Sequence, residues 1–135
     1  MVRCVIGFAA TLLAASVAVA ALGSPYEQAL QQAVDSFEKI AGTLKGIKDE
    51  DTAAASKPEL RKSALSYLEA VEKASKLPPP EKDEKARLEK LYKAKMEGVL
   101  KRISTEYRRV ELIDGEKVKD ALKELDVIFP RPKKS

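Results

Sequence analysis

The chain has no histidine, no tryptophan and no asparagine, and its single cysteine is Cys4. Lack of histidine removes the commonest general base and the commonest metal ligand. It also excludes the Glu-x-x-His pairs of a di-iron bundle and the C-x-x-C-H attachment of haem. Lack of asparagine removes any acceptor for N-glycosylation. Cys4 falls in a segment expected to be cleaved off, so the processed chain has no thiol for a disulfide, a zinc site or a nucleophile. Aromatic residues are 5% of the chain, too sparse to form a platform for bases. An excess of one charge is also missing: 25 bases stand against 21 acids, a formal +4 that does not by itself argue for nucleic acid.

The 135 residues fit one domain. Residues 1–20 follow a secretory pattern: Arg3, then an apolar run, then Ala18-Val19-Ala20 with small residues at the cleavage spacing. The run is short for a membrane span, which needs about 20 apolar residues; a retained anchor is the alternative. Cleavage near Ala20 or Gly23 suits the pattern. Ala21-Leu22-Gly23-Ser24 resembles a lipoprotein box with serine where the lipidated cysteine would stand, so no lipid can attach there.

Periodicity then predicts helices throughout. Ser24, Pro25 and Glu27 form a capping-box start. Tyr26, Leu30, Ala33, Phe37, Ile40, Leu44 and Ile47 follow at alternating steps of four and three, a seam suited to helix packing or to a coiled-coil dimer. Gly46 reads as a stop. The acids Asp49, Glu50 and Asp51 open a second helix and complement its dipole; a calcium loop is excluded because Ala54 occupies the position that needs glycine. Pro58 allows a helix that restarts there or a long bent one over residues 50–77. The long version matches the third helix better in length. Its core face is expected to be Leu60, Ala64, Tyr67, Leu68, Val71 and Ala74.

Pro78-Pro79-Pro80 sets a turn. Residues 81–112 read as an uninterrupted rod about 48 Å long, the stretch on which the rest is expected to lean. Its stripe includes Leu88, Tyr92, Met96, Val99, Ile103, Tyr107 and Val110. Pairs four apart, Glu81/Lys85, Asp83/Arg87, Glu89/Lys93 and Glu97/Lys101, decorate the outside. Asp114-Gly115 makes a turn into a short fourth helix over residues 116–126.

Few constellations carry chemistry. Ser36-Phe37-Glu38-Lys39 matches S-x-x-K, but no S-D-N or K-T-G follows. The carboxylate pairs Glu69/Glu72 and Glu81/Glu84 have bases nearby on faces expected to be wet, so they are not poised as acid and base. Charge remains. Lys101, Arg102, Arg108 and Arg109, with Arg131, Lys133 and Lys134 of the tail, are expected to form a basic end able to touch a protein partner, anionic lipid or acidic polysaccharide.

The order S-P-Y-E-Q-A-L, then I-A-G-T-L-K-G-I-K-D-E-D-T-A-A-A, then a Pro-led helix, a Pro-rich turn and a charged helix resembles small exported bacterial helical proteins of unknown function, many of them lipid-anchored. The likeness covers roughly residues 25–113 and departs from the lipid-anchored members at Ser24. It implies an exported helical protein and brings no catalytic residue with it.

The expected architecture is all-α: an antiparallel three-helix bundle with a short fourth C-terminal helix. Residues 1–20 are the signal peptide, 21–129 the bundle and 130–135 a basic, disordered tail. The expected role is a non-enzymatic protein-interaction or adaptor module of the cell envelope, periplasmic or extracellular, with no cofactor and no metal. The alternative is a binder of anionic surfaces through the basic end.

Overall fold

A computed structural model describes residues 24–129. The signal segment, both cleavage positions and the tail bases Arg131, Lys133 and Lys134 lie outside the described residues. The described residues are helical, with α1 (Pro25–Lys45), α2 (Glu50–Lys76), α3 (Lys82–Glu111) and α4 (Glu116–Lys123) joined by short turns and no strand among them.

Local chemistry sets the ends of each helix. Ser24 Oγ accepts from Glu27 N at 3.2 Å and Pro25 occupies the first turn. The reciprocal half of the expected capping box is replaced, because the Glu27 carboxylate turns to α3 instead. Asp49 and Thr52 form a full capping box at α2: Asp49 Oδ1 accepts from Thr52 N at 2.8 Å, and Thr52 Oγ1 accepts from Asp49 N at 3.0 Å. α2 is continuous through Pro58, so the long version is the observed one. Such a proline removes one backbone bond, a loss that the rest of a 27-residue helix absorbs. Gly115 has φ +140°, and a Cβ there would overlap the Glu50 side chain, so glycine serves both the turn and its close approach to α2. The fourth helix ends at Lys123, three residues before the expected end. The chain continues as turns that bond Leu125 N to Leu122 O and Asp126 N to Lys123 O.

Packing places α1 at the centre. It packs extensively on both α2 and α3, whereas α2 and α3 meet each other only slightly; α4 lies against both of them. The hub is therefore the first helix, not the longer third. The main core joins Phe37, Ile40 and Leu44 of α1, Ile47 of the turn after it, Leu60 and Ala64 of α2, Val99, Ile103 and Val110 of α3, and Val118, Leu122 and Leu125. Phe37 stacks on Tyr67 at 4.4 Å, and Phe129 closes on Phe37 at 5.5 Å, which docks the end of the described chain. A smaller cluster of Val34, Leu88 and Tyr92, flanked by Tyr26, Leu30 and Met96, joins α1 to the first half of α3.

One expectation about α2 fails. Leu60 and Ala64 are buried and Tyr67 and Ala74 half-buried, but Leu68 is 38% exposed and Val71 47% exposed. The eight-residue α4 covers the stripe beside Leu60 and does not extend along the later turns of α2. The end containing α4 is called closed below, and the end at the proline turn open.

Candidate interaction surfaces

Among the described residues, the four α3 bases of the expected basic end do not form one patch. Neighbours on a helix point about 100° apart, whereas residues seven apart share a face. The pairs Lys101-Arg102 and Arg108-Arg109 therefore split. Arg102 turns to α1 and pairs with Glu38. Arg109 also turns to α1, where its Nη1 donates to Ile47 O at 2.8 Å and its Nη2 to Leu44 O at 2.9 Å, while Nε donates to Glu106 at 2.8 Å. A cation bonded to the last carbonyls of α1 completes that helix's C-terminus and meets the negative end of its dipole. Lys101 and Arg108 are exposed and make no ion pair among the described residues. Two of the four described candidates are thus structural clasps.

A third arginine extends the same row. Arg87 Nη2 donates to Glu27 Oε1 at 2.8 Å and to Glu84 Oε1 at 2.7 Å. Glu27 is only 7% exposed. Its other oxygen accepts from Tyr92 Oη at 3.2 Å, so the buried carboxylate is met by a cation and a phenol. Burial, reinforced by the Glu27 charge and that hydrogen bond, raises the Tyr92 phenol above its ordinary value. The hydrogen bonds from Arg87 hold Glu84 below the usual carboxylate range. Arg87, Arg102 and Arg109 tie α3 to the start, middle and end of α1. Each directly precedes a buried stripe residue, Leu88, Ile103 or Val110. That position beside the stripe was the available signal, and reading the bases as surface charge missed it.

α2 is held to α4 by Lys57, whose Nζ lies 2.6 Å from Asp120 Oδ2. The bond raises Lys57 and lowers Asp120 from their ordinary values. On α2 the pairs Glu69–Lys73 and Glu72–Lys76 form at 3.1 and 2.9 Å. On α3, by contrast, none of the four expected acid–base pairs closes to an ion pair among the described residues.

Three grooves follow α1. One of about 460 Å³ is polar and includes Gln28, Gln31, Gln32, Asp35, Lys39 and Lys95. A second, about 730 Å³, runs between α1 and α3 past Ala41, Gly42, Lys45, Lys101 and Thr105. The third, about 380 Å³, is apolar at its floor and lies at the open end, where Tyr26, Leu30, Leu88 and Met96 are bordered by Pro80, Lys85, Glu89 and Lys93. No group of three potential metal-ligating side chains occurs among the described residues, and no described helix is long and apolar enough to cross a membrane. The chain matches no family model, no curated protein and no solved structure.

Proposed function

We propose that this protein is an exported, non-enzymatic helical interaction module of the cell envelope whose working surface is the open end. The single observation that carries the reading is the uncovered continuation of the α2 stripe at Val71 and Leu68, at the same end of the molecule as the apolar groove of Tyr26, Leu30, Leu88 and Met96. Exposed apolar surface with charged residues around it suits protein docking. Export rests on the pattern of residues 1–20 and on the resemblance to small exported helical proteins, with cleavage near Ala20 or Gly23.

The finer architecture belongs to this reading. The three long helices form an up–down–up bundle in which α2 is antiparallel to its neighbours. In support, the bonds Glu27–Arg87, Glu38–Arg102 and Leu44–Arg109 advance along α1 and α3 in the same sense. The turns after α1 and after α2 are short enough to reverse the chain.

Affinity capture from envelope extract at low and high salt tests the function. A partner retained at high salt and lost on Val71→Lys fits an apolar interface. No partner at low salt overturns the reading. A second reading, binding of anionic lipid or polysaccharide, is favoured by the exposed Lys101 and Arg108 with Lys45 on the wide α1–α3 groove. Co-sedimentation with acidic and neutral vesicles separates it: binding must need acidic lipid, weaken with salt and fall on Arg108→Ala. N-terminal sequencing of the secreted chain tests processing.

A further inference from the structure

We propose that the open end is the interface between two copies of this chain, packed antiparallel about a two-fold axis near Arg87 of α3. The inference deepens the interaction-module reading and rests on it for the choice of surface. What selects a second copy over another partner is the pattern of charge along the groove.

Glu81, Lys85, Glu89 and Lys93 follow one another at steps of four, alternating in sign. Lys85, Glu89 and Lys93 border the apolar groove, and Glu81 stands at the N-cap of α3 with no side-chain capping bond. Spacing of four would let Glu81 pair with Lys85 and Glu89 with Lys93 within the helix. Neither pair forms, although the equivalent pairs on α2 do. All four side chains are exposed and make no ion pair among the described residues.

A row that reads acid, base, acid, base is complementary to itself when reversed. With the axis between positions 85 and 89, Lys85 of one copy faces Glu89 of the other, and Glu81 faces Lys93. Both matches recur by symmetry, so four opposite-sign pairs form along about 18 Å of helix. A partner carrying only acids or only bases would meet repulsion at every second position. Beside the row, Met96, Leu88, Leu30 and Tyr26 in the groove supply the apolar part, and Val71 and Leu68 of α2 add exposed apolar side chains at the same end of the molecule. At the closed end the corresponding turns of α2 are covered by α4; at the open end the second copy takes that place. Exposed ion pairs contribute little each, so association is weak and depends on concentration. The first-helix seam, regular enough for a coiled coil, is not the dimer face, because Ala33, Phe37, Ile40 and Leu44 are already buried within the chain.

Sedimentation velocity on the purified protein across a concentration series tests this. A reversible monomer–dimer equilibrium is expected. Lys85→Glu turns two attractive pairs into two repulsive ones and should weaken the dimer about tenfold. Glu89→Lys should do the same, and the double exchange Lys85→Glu with Glu89→Lys should restore it. Val71→Lys should abolish the dimer while the helical circular dichroism is unchanged. A monomer at every concentration, or a dimer indifferent to the single exchanges or not restored by the double one, overturns the proposal. A monomer that still captures an envelope protein through Val71 overturns the second copy alone. A dimer that behaves as described but captures nothing overturns only the adaptor reading.

Discussion

The same face of α2 meets opposite conditions at the two ends of the molecule. Near α4, Leu60 is fully buried with Ala64, Val110, Val118 and Leu122 around it. Three turns later Val71, in line with Leu60 by steps of four, three and four, has nearly half its surface in water. The residues are equally apolar, so sequence hydrophobicity does not set the difference. It arises from the reach of α4, which is eight residues long against 27 in α2. One end is sealed by the chain's own last helix, and the other ends in a triple-proline turn with nothing comparable laid across it among the described residues. Stability should therefore reside at the closed end and the spare part of the α2 stripe at the open one; Leu112 and Val127, on either side of α4, are exposed apolar residues outside that stripe.

The sharpest way to break that contrast is to make the same kind of deletion at both ends. Leu122→Ala at the closed end leaves a cavity in the fully enclosed core and should cost about 2–5 kcal/mol in urea unfolding. Val71→Ala at the open end removes groups already in water and should cost less than about 0.5 kcal/mol. Equal losses would mean that the open end is sealed after all.

A smaller effect is expected where a buried carboxylate fastens the open end. Glu27→Ala removes the acceptor shared by Arg87 and Tyr92. Tyr92, itself buried, loses its bond to that carboxylate and the α1–α3 clasp opens. A loss of about 1–2 kcal/mol follows, since Arg87 is half in water and keeps Glu84. Hydrogen exchange should show the loss concentrated in the first turns of α1 and α3; protection lost evenly along both helices would contradict a local clasp.

At the closed end the matching test compares two neighbouring arginines. Arg109→Ala strips the bonds to Leu44 O and Ile47 O and should cost about 1 kcal/mol. Arg108→Ala, at an exposed position, should be neutral within about 0.5 kcal/mol. Equal effects would mean that the two arginines do not divide between helix cap and solvent.

These arginines also show where the sequence stops being informative. Helix positions were legible because the stripes repeat at steps of three and four and the starts carry distinctive residues: Ser24-Pro25 at α1, the acids Asp49, Glu50 and Asp51 at α2, Asp114-Gly115 before α4. Continuity through Pro58 followed from matching helix lengths. A stripe says that a helix buries a face, however, and not against which partner. The role of α1 as hub was therefore hidden, as was the failure of α4 to reach Leu68 and Val71. Consecutive bases look like a patch in a line of text, but the helical turn brings Arg102 and Arg109 into bonds with α1 and leaves Lys101 and Arg108 without such a bond. The Glu27–Arg87–Tyr92 cluster joins residues some 60 positions apart, and only the docking of α3 on α1 brings them together.

The smallest expected effect is that of pH, and its sign differs between acid and alkali. With no histidine, no described side chain has an ordinary titration between about pH 5 and 9, so stability should be flat there. Asp49, lowered by its bonds from the Thr52 backbone and hydroxyl, and Asp120, lowered by its bond to Lys57, sit at the closed end. Glu84, lowered by Arg87, sits at the open end. A carboxyl that is more acidic when folded favours the folded state above its unfolded value. That contribution disappears as pH falls below about 4 and through the lowered folded values. Lys57 and Tyr92 are raised when folded, so each contributes fully below its unfolded value near 10 and is lost as pH rises through the folded one. Acid should thus loosen the closed end more, through two groups against one, while alkali releases one group at each end. Urea midpoints against pH, repeated on Asp120→Asn and Tyr92→Phe, check both limbs. Asp120→Asn should flatten the acid limb and also remove the Lys57 share of the alkaline one, Tyr92→Phe should flatten the alkaline limb alone, and a midpoint that moves between pH 5 and 9 would contradict the assignment.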